Sequence, residues 1–367
     1  MNKMLKYNPT VFAVENDYKI FIPVTKESVM WIKVGDECYY DHSNGVLRSS
    51  VTMHKITVPQ SKLNAAGKYT VCFREMIERK PYFSVTSDVY EEEFSFYPLP
   101  EEDFNAYHIS DAHGAVSAPV NSALGFEKKY GKINLLILNG DVIDHSGDIG
   151  NFDAIYEICS LISGGTIPVV FSRGNHDTRG KFAENIADYT PTRVGYSYFS
   201  FRLGTLWGLV LDCGEDKPDT NAEYGNTNCC HAFRIEETDY IESLIKNEDN
   251  EYGAEGIKRR MIIAHSPFSR KFEFPFDIED EIYTEWCTAL REKIKPDIMI
   301  SGHTHSIEIL PIGDERHIHG CPCPVVVGGK PDKPNGKHYG CGLIFNGNGL
   351  TAVFNNGDDT VAEHKVY

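Results

Sequence analysis

The chain has no long apolar run. Its longest, such as Leu135–Leu138 and Met261–Ala264, stop far short of the ~20 residues needed to cross a bilayer, so no membrane role is expected. Positive charge is scarce: 36 Lys and Arg face 53 Asp and Glu, a net charge of −17. Such a protein is repelled by polyphosphate backbones, which argues against a duplex nucleic-acid partner. No apolar segment follows the basic start Met1-Asn2-Lys3-Met4-Leu5-Lys6, so no secretory signal is expected. Of ten Cys, the only close clusters are Cys229-Cys230 and Cys321-Pro322-Cys323, and neither has the spacing of a thiolate zinc site. Free thiols in a reducing, cytoplasmic compartment are the expectation. For Cys229-Cys230, beside His231, a minor metal or redox site is the alternative. Internal repeats and low-complexity segments are absent.

What is present reads as an ordinary globular protein, with 41% hydrophobic and 24% charged residues. At 367 residues it exceeds the size at which one core usually stops growing, so two domains are expected. Residues 1–100 read as all-β. Tyr18–Ile22, Ser28–Val34 and His54–Val58 alternate with a period near two, separated by turn residues. Leu63–Phe73, with a Gly turn and Tyr69 opening a strand, suggests the tyrosine corner of an immunoglobulin- or fibronectin-like sandwich. A β-rich extension of the next domain's sheet is the alternative. The Pro-rich, acidic stretch Tyr97–Asp103 marks a boundary near residue 100.

From 101 to 367 strands alternate with helices, the pattern of an α/β domain. The strands are Asn105–Ile109, Asn134–Leu138, Ile167–Phe171, Met261–Ala264 and Ile298–Ile300. Helical spacing appears over 151–163, over 235–246 with Thr238 as a cap, and over 281–294. Tyr196–Phe201 and Thr205–Asp212 form a hairpin. The tail, 323–367, is β-rich with Asn-Gly turns and is placed in a second sheet.

Each central strand ends in Asp, Asn or His. The ends are Asp111-Ala112-His113, Gly140-Asp141-Val142-Ile143-Asp144, Gly174-Asn175-His176-Asp177, His265, and Gly302-His303-Thr304-His305. Open α/β sheets bind ligands at such carboxyl ends. Carboxylates, imidazoles and one amide, without thiolate, suit Mn, Fe or Zn. Eight or so such groups exceed the needs of one ion and match two ions sharing a carboxylate. A hydroxide bridging two such ions is an in-line nucleophile for a phosphoester.

These five motifs, in this order, resemble the calcineurin-like metallophosphoesterase superfamily, whose pattern is D-x-H, G-D-x-x-D, G-N-H-D/E, a lone His and G-H-x-H. The resemblance implies a four-layer αββα sandwich. It assigns one metal to Asp111, His113, Asp141 and His305, and the other to Asp141, Asn175, His265 and His303. It implies that His176 is no ligand but assists departure of the leaving oxygen, with Asp144 orienting it. The β-rich segment before the α/β domain is similar to the layout of purple acid phosphatases. Those carry a metal-binding Tyr where this chain has Asp144, so a tyrosinate-to-iron colour is not expected.

Further residues are read more plainly. Arg173, Arg179 and Arg270 are candidates for holding the substrate anion, with Lys181 and Lys271 nearby. Asp177 buttresses its loop. His108, His145, His317 and His319 are read as structural or solvated. The loop Cys213–Phe233 is a candidate rim, and Phe268, Phe272, Phe274 and Phe276 a candidate wall for an organic group or packing. The expected activity is metal-dependent hydrolysis of a small phosphomonoester or phosphodiester. The alternative is a non-catalytic binding or assembly protein on the same scaffold.

Overall fold

The computed structural model describes residues 4–367. Two large sheets lie face to face, and helices cover their outer faces. The first sheet has ten strands. At its centre run the parallel strands Phe104–Ile109, Leu135–Asn139, Pro168–Ser172 and Thr10–Val14. The second sheet has six strands. It carries Leu206–Leu211, Arg259–Ala264, Ile298–Ser301 and Val325–Val327 in parallel.

The layering follows from side-chain alternation. Successive residues of a strand point to opposite faces. Leu135 and Ile137 face the opposing sheet with Met261, Ile263 and Ile300. Leu136 and Leu138 face helices Ser117–Tyr130 and Asp153–Ile162, packing with Phe126, Ile155 and Ile158. On the second sheet, Ile262 and Ala264 face helices Cys230–Lys246 and Asp280–Ala289, packing with Ile241 and Trp286. Both faces of each central strand are covered, so these strands read as continuous apolar runs. Each fully buried Val, Leu or Ile contributes about 1.5–3 kcal/mol, and this burial fixes the strand ends that hold the polar site.

The first hundred residues contribute to two sheets. Ser28–Val34, Glu37–Tyr40, Lys68–Glu78 and Tyr90–Ser95 form a separate antiparallel sheet. Thr10–Val14, Asp17–Pro23 and Met53–Pro59 instead extend the ten-stranded sheet, with Val11 opposite Pro168. The N-terminal sandwich therefore shares one of its sheets with the α/β layers.

Several expectations need correcting. Tyr69 makes no tyrosine corner, because its hydroxyl donates to the distant Gly165 carbonyl at 2.8 Å. A short helix, Gln60–Ala66, ends at Gly67 in the left-handed conformation and feeds that strand. Thr238 caps no helix, since the helix starts eight residues earlier, at Cys230. The Asp219 carboxylate accepts from Cys230 N and His231 N, so a loop residue does the capping and the polar first turns hide the helix in sequence. The tail divides between the sheets. Val325–Val327 joins the second sheet, whereas Lys337–Asn346, Gly349–Asn356 and Asp359–Lys365 extend the first, beside Phe104–Ile109. Helix Ser117–Tyr130, of low amphipathicity, was not anticipated.

No helix among the described residues is long and apolar enough to cross a membrane.

Candidate metal centre

The parallel strands of both sheets end along one edge, and the five motifs meet there. The backbone at these ends is forced. Asp111, His113, Asp141, His303 and His305 all have positive φ, between 47° and 67°. Non-glycine residues avoid this region, and each costs about 1–3 kcal/mol that the packed strands must offset. The glycines of the motifs are there for room. A Cβ on Gly174 would meet Asp141 Oδ1 at 2.2 Å, and one on Gly302 would meet Ser110 Oγ at 1.8 Å.

Three groups of side chains each lie close enough to share an ion: Asp111, His113 and His305; His113, Asp141 and His176; and Asp141, His265 and His303. Asp141 belongs to two of them. Asp111 and Asp141 are buried, as are Asn175 and His265. His265 Nδ1 is 2.7 Å from the Asn139 carbonyl, which leaves Nε2 facing Asp141 Oδ2 at 3.2 Å and Asp111 Oδ1 at 3.8 Å. His305 Nε2 lies 3.4 Å from Asp111 Oδ1 and 3.0 Å from His113 Nε2. Burial disfavours a charged His265, but the Asp141 and Asp111 carboxylates outweigh it and raise it to about 10.

The donor set fits a pair of metal ions. Asp111 Oδ1 is buried with no hydrogen-bond donor. Asn175 Oδ1 and His303 Nδ1 stand 3.0 Å apart, close enough to bind one cation together or, with the ring proton on Nδ1, to hydrogen-bond. Two nitrogens bound to one ion at ~2.0–2.1 Å stand about 3.0–3.4 Å apart, which matches the His113–His305 separation. Hard oxygens and imidazoles without thiolate fit Mn, Fe or Zn. All ten Cys are free, and none belongs to a candidate metal group among the described residues.

His176 shares one of these groups, yet both its nitrogens are engaged elsewhere. Nδ1 lies 2.9 Å from the Asp144 carbonyl oxygen and Nε2 lies 3.1 Å from Arg179 Nη1. Its backbone N–H donates to Asp141 Oδ1 at 2.9 Å. The partner of His176 is thus the main chain of Asp144. The Asp144 carboxylate is exposed and stands 3.4 Å from His113 Nδ1. Asp177 is buried, and its Oδ2 accepts from Gly174 N at 2.7 Å and Asp141 N at 3.3 Å, so it braces the loop. Burial and the nearby Asp141 push it up to about 7.

The three candidate arginines diverge. Arg173 pairs with the buried Asp212 at 2.6 Å and lies over Phe233. Arg270 pairs with Glu308 at 2.9 Å. Arg179 alone of the three also reaches His176. Lys181 lies over Phe182, in the cleft beside Arg179. His108 is fully buried and burial lowers it to about 3, while His145 is exposed and accepts from Gly147 N. His317 and His319 bond Ser269 and Thr284. Phe268 belongs to the core, whereas Phe272 packs edge-on to His303 with ring centres 5.9 Å apart.

Sequence patterns missed three supports. Ser110 donates to Asp111 Oδ2 at 2.7 Å, His338 Nε2 bonds the Ser110 carbonyl at 2.7 Å, and Glu215 holds Arg179. Ser110 adjoins a motif and was findable. His338 and Glu215 come from distant segments that carry no pattern.

The chain is similar in structure to a purple acid phosphatase, PPD1, from yellow lupin (Lupinus luteus) seeds, with TM-score 0.61 and 12% identity over 98% of this chain and 73% of that one. GAP50, described as the anchor in the inner membrane complex of Plasmodium, aligns with TM-score 0.46 and 12% identity over 72% of this chain and 89% of its own. TT1561 of Thermus thermophilus aligns with TM-score 0.40 and 11% identity over 72% of this chain and 100% of its own. No curated protein matches the chain in sequence. The profile of the calcineurin-like phosphoesterases matches residues 104–306, more than half of the chain and the segment holding all five motifs. The chain belongs to the calcineurin-like phosphoesterase family.

Proposed function

We propose that this protein hydrolyses a small phosphoester, a monoester or a diester, with two metal ions. The observation that carries the reading is that Asp111, His113 and His305 form one ion-sized group and Asp141, His265 and His303 another, with Asp141 also within reach of His113 and Asn175 meeting His303. In this reading Asp111, His113, Asp141 and His305 hold one ion, and Asp141, Asn175, His265 and His303 hold the other. Ions of Mn, Fe or Zn held there supply Lewis acidity toward the phosphoryl oxygens and a nucleophile at neutral pH.

The chain's own groups do the rest. Asp111 and Asp141 bring negative charge that retains the cations in a buried setting. His265 is oriented by the Asn139 carbonyl, so the nitrogen it offers is fixed. His176 stands at the rim of the ligand set, ring to ring with His113 at 4.6 Å. Its Nε2, the nitrogen away from the Asp144 carbonyl, can pass a proton to the leaving oxygen once it has taken that proton up from solvent. The Asp144 carboxylate, beside His113, serves that ligand rather than His176. The division we place near residue 100 puts the chemistry in 101–367 and packing support in 1–100. A cytoplasmic location belongs to the same proposal, from the free thiols.

The test is hydrolysis of p-nitrophenyl phosphate and of its bis-ester by purified protein with added Mn²⁺, Fe²⁺ or Zn²⁺. Turnover of at least one ester, abolished by chelator and restored by metal, is expected. No turnover with any of the three sinks the catalytic reading and favours a binding or assembly role.

A further inference from the structure

Arg179 carries five N–H donors on one rigid plane. Nε and Nη2 meet the two oxygens of the Glu215 carboxylate at 2.8 and 2.9 Å. Glu215 is 1% exposed, and Thr178 Oγ1 donates to the same carboxylate at 2.9 Å. A two-point pair with a buried carboxylate fixes both the position and the plane of the guanidinium. The Glu215 carbonyl is itself held by Arg234, a buried residue of helix Cys230–Lys246, so the clamp is anchored to the core.

Nη1 then points at His176 Nε2, 3.1 Å away. The other ring nitrogen faces the Asp144 carbonyl, which only accepts, so Nδ1 carries the proton and Nε2 offers its lone pair to Arg179. This leaves the guanidinium one N–H on Nη1, because the second N–H of Nη2 is met by the Asn175 amide 3.0 Å away once that amide turns its oxygen toward it. Asp216 stands off from Nη2 at 3.8 Å. Arg179 also lines a cleft of about 600 Å³ with Thr178, Lys181, Glu184, Glu223 and Tyr224, a cleft that contains none of the candidate metal ligands. In a protein of net charge −17, an anionic substrate needs a fixed cation at the site. Arg173 and Arg270 are paired with Asp212 and Glu308, away from His176.

We propose that Arg179 is a catalytic residue that grips the phosphoryl group of the substrate through Nη1, and that Glu215 is the positioning residue that aims it. The ligand is a tetrahedral phosphoryl anion presenting its oxygens to the two N–H groups of Nη1, one free and one that now faces His176. As it enters, a substrate oxygen takes the place of the Arg179–His176 contact. The proposal rests on the phosphoesterase reading, and its test does not need turnover.

The test is calorimetric titration of inorganic phosphate into the full-length, metal-loaded protein, with metal content and Tm measured for each variant. Arg179→Ala is expected to weaken phosphate about tenfold to a hundredfold, the range of a charge-assisted hydrogen bond. Arg179→Lys, which keeps the charge but loses the fork, is expected to recover only part of that affinity. Glu215→Gln is expected to weaken phosphate several-fold at unchanged metal content, and Lys181→Ala to stay within twofold of wild type. If Arg179→Ala fails to fold, Arg179→Lys and Glu215→Gln carry the test. Phosphate affinity within twofold of wild type in the Arg179 variants overturns the proposal, as does a loaded wild-type protein that binds no phosphate. Phosphate binding without hydrolysis strikes the catalytic reading alone.

Discussion

Gly302→Ala tests how tightly the site is built. Gly302 opens the last motif, and Ser110 lies directly beneath it. An added methyl would sit 1.8 Å from Ser110 Oγ, 2.6 Å from Ser110 Cβ and 2.7 Å from Asp111 Oδ2. All three distances lie well inside van der Waals contact, and Ser110 is fully buried, so no flexible end can swing aside. Ser110 Oγ also bonds Asp111 Oδ2 at 2.7 Å and the Asn139 carbonyl at 2.8 Å. Overpacking of this kind costs about 1–3 kcal/mol. At roughly 2–4 °C per kcal/mol, the expected fall in Tm is several degrees. The displaced Ser110 also releases Asp111, so metal affinity falls alongside stability. The double variant Ser110→Gly/Gly302→Ala removes two of the three clashes, and its loss should be smaller than the sum of the single losses. Calorimetry and metal analysis on the three variants give the answer. A Gly302→Ala protein with wild-type Tm and wild-type metal content would refute the close packing argued here.

Three further outcomes are expected. Asp141→Ala loses both ions, because it is shared between the groups, and metal analysis that finds two ions retained breaks the bridging assignment. His176→Ala keeps its metals but loses about 10²–10⁴ in turnover, so loss of an ion in that variant contradicts its non-ligand role. Glu237 supplies a pH dependence away from the metals. It is fully buried, its Oε1 accepts from Asp212 N at 2.8 Å, and burial first, then the Asp212 charge, raises its pKa well above 4.5 against the pull of Arg173 and Arg234. An acid whose folded pKa is raised binds its proton more tightly in the folded state. Its stabilising contribution is complete below 4.5 and declines as pH rises toward the folded value. Glu237→Gln should therefore gain stability relative to wild type as pH increases from 5 to 8, and equal pH slopes in the two proteins count against the argument.

The candidate donors were legible in sequence because metal ligation needs particular residue types at strand ends, and short spacings such as Asp111-x-His113 and His303-x-His305 keep those donors together. The central strands were legible for a similar reason: covered on both faces, they must be apolar throughout, as Leu135–Leu138 is. Residues 1–100 resisted reading. Their alternation predicts strands but not partners, and Thr10–Val14 found its partner in Pro168–Ser172, more than 150 residues later. The start of helix Cys230–Lys246 was hidden because its cap comes from Asp219, outside the local capping pattern.

The sequence by itself determined the candidate donors and their order along the chain, since these follow from residue type, and the resemblance that the five motifs carry implied the αββα layers. Only the tertiary structure decided which donors come within reach of one another, because that depends on strand order and on backbone held at positive φ. It alone turned the Asp144 carboxylate toward His113, committed Arg173 to Asp212, and set Glu215 behind Arg179. Side chains so far apart in sequence meet only when the sheets pack, and the energy of that packing lies in the apolar core rather than in the residues that meet.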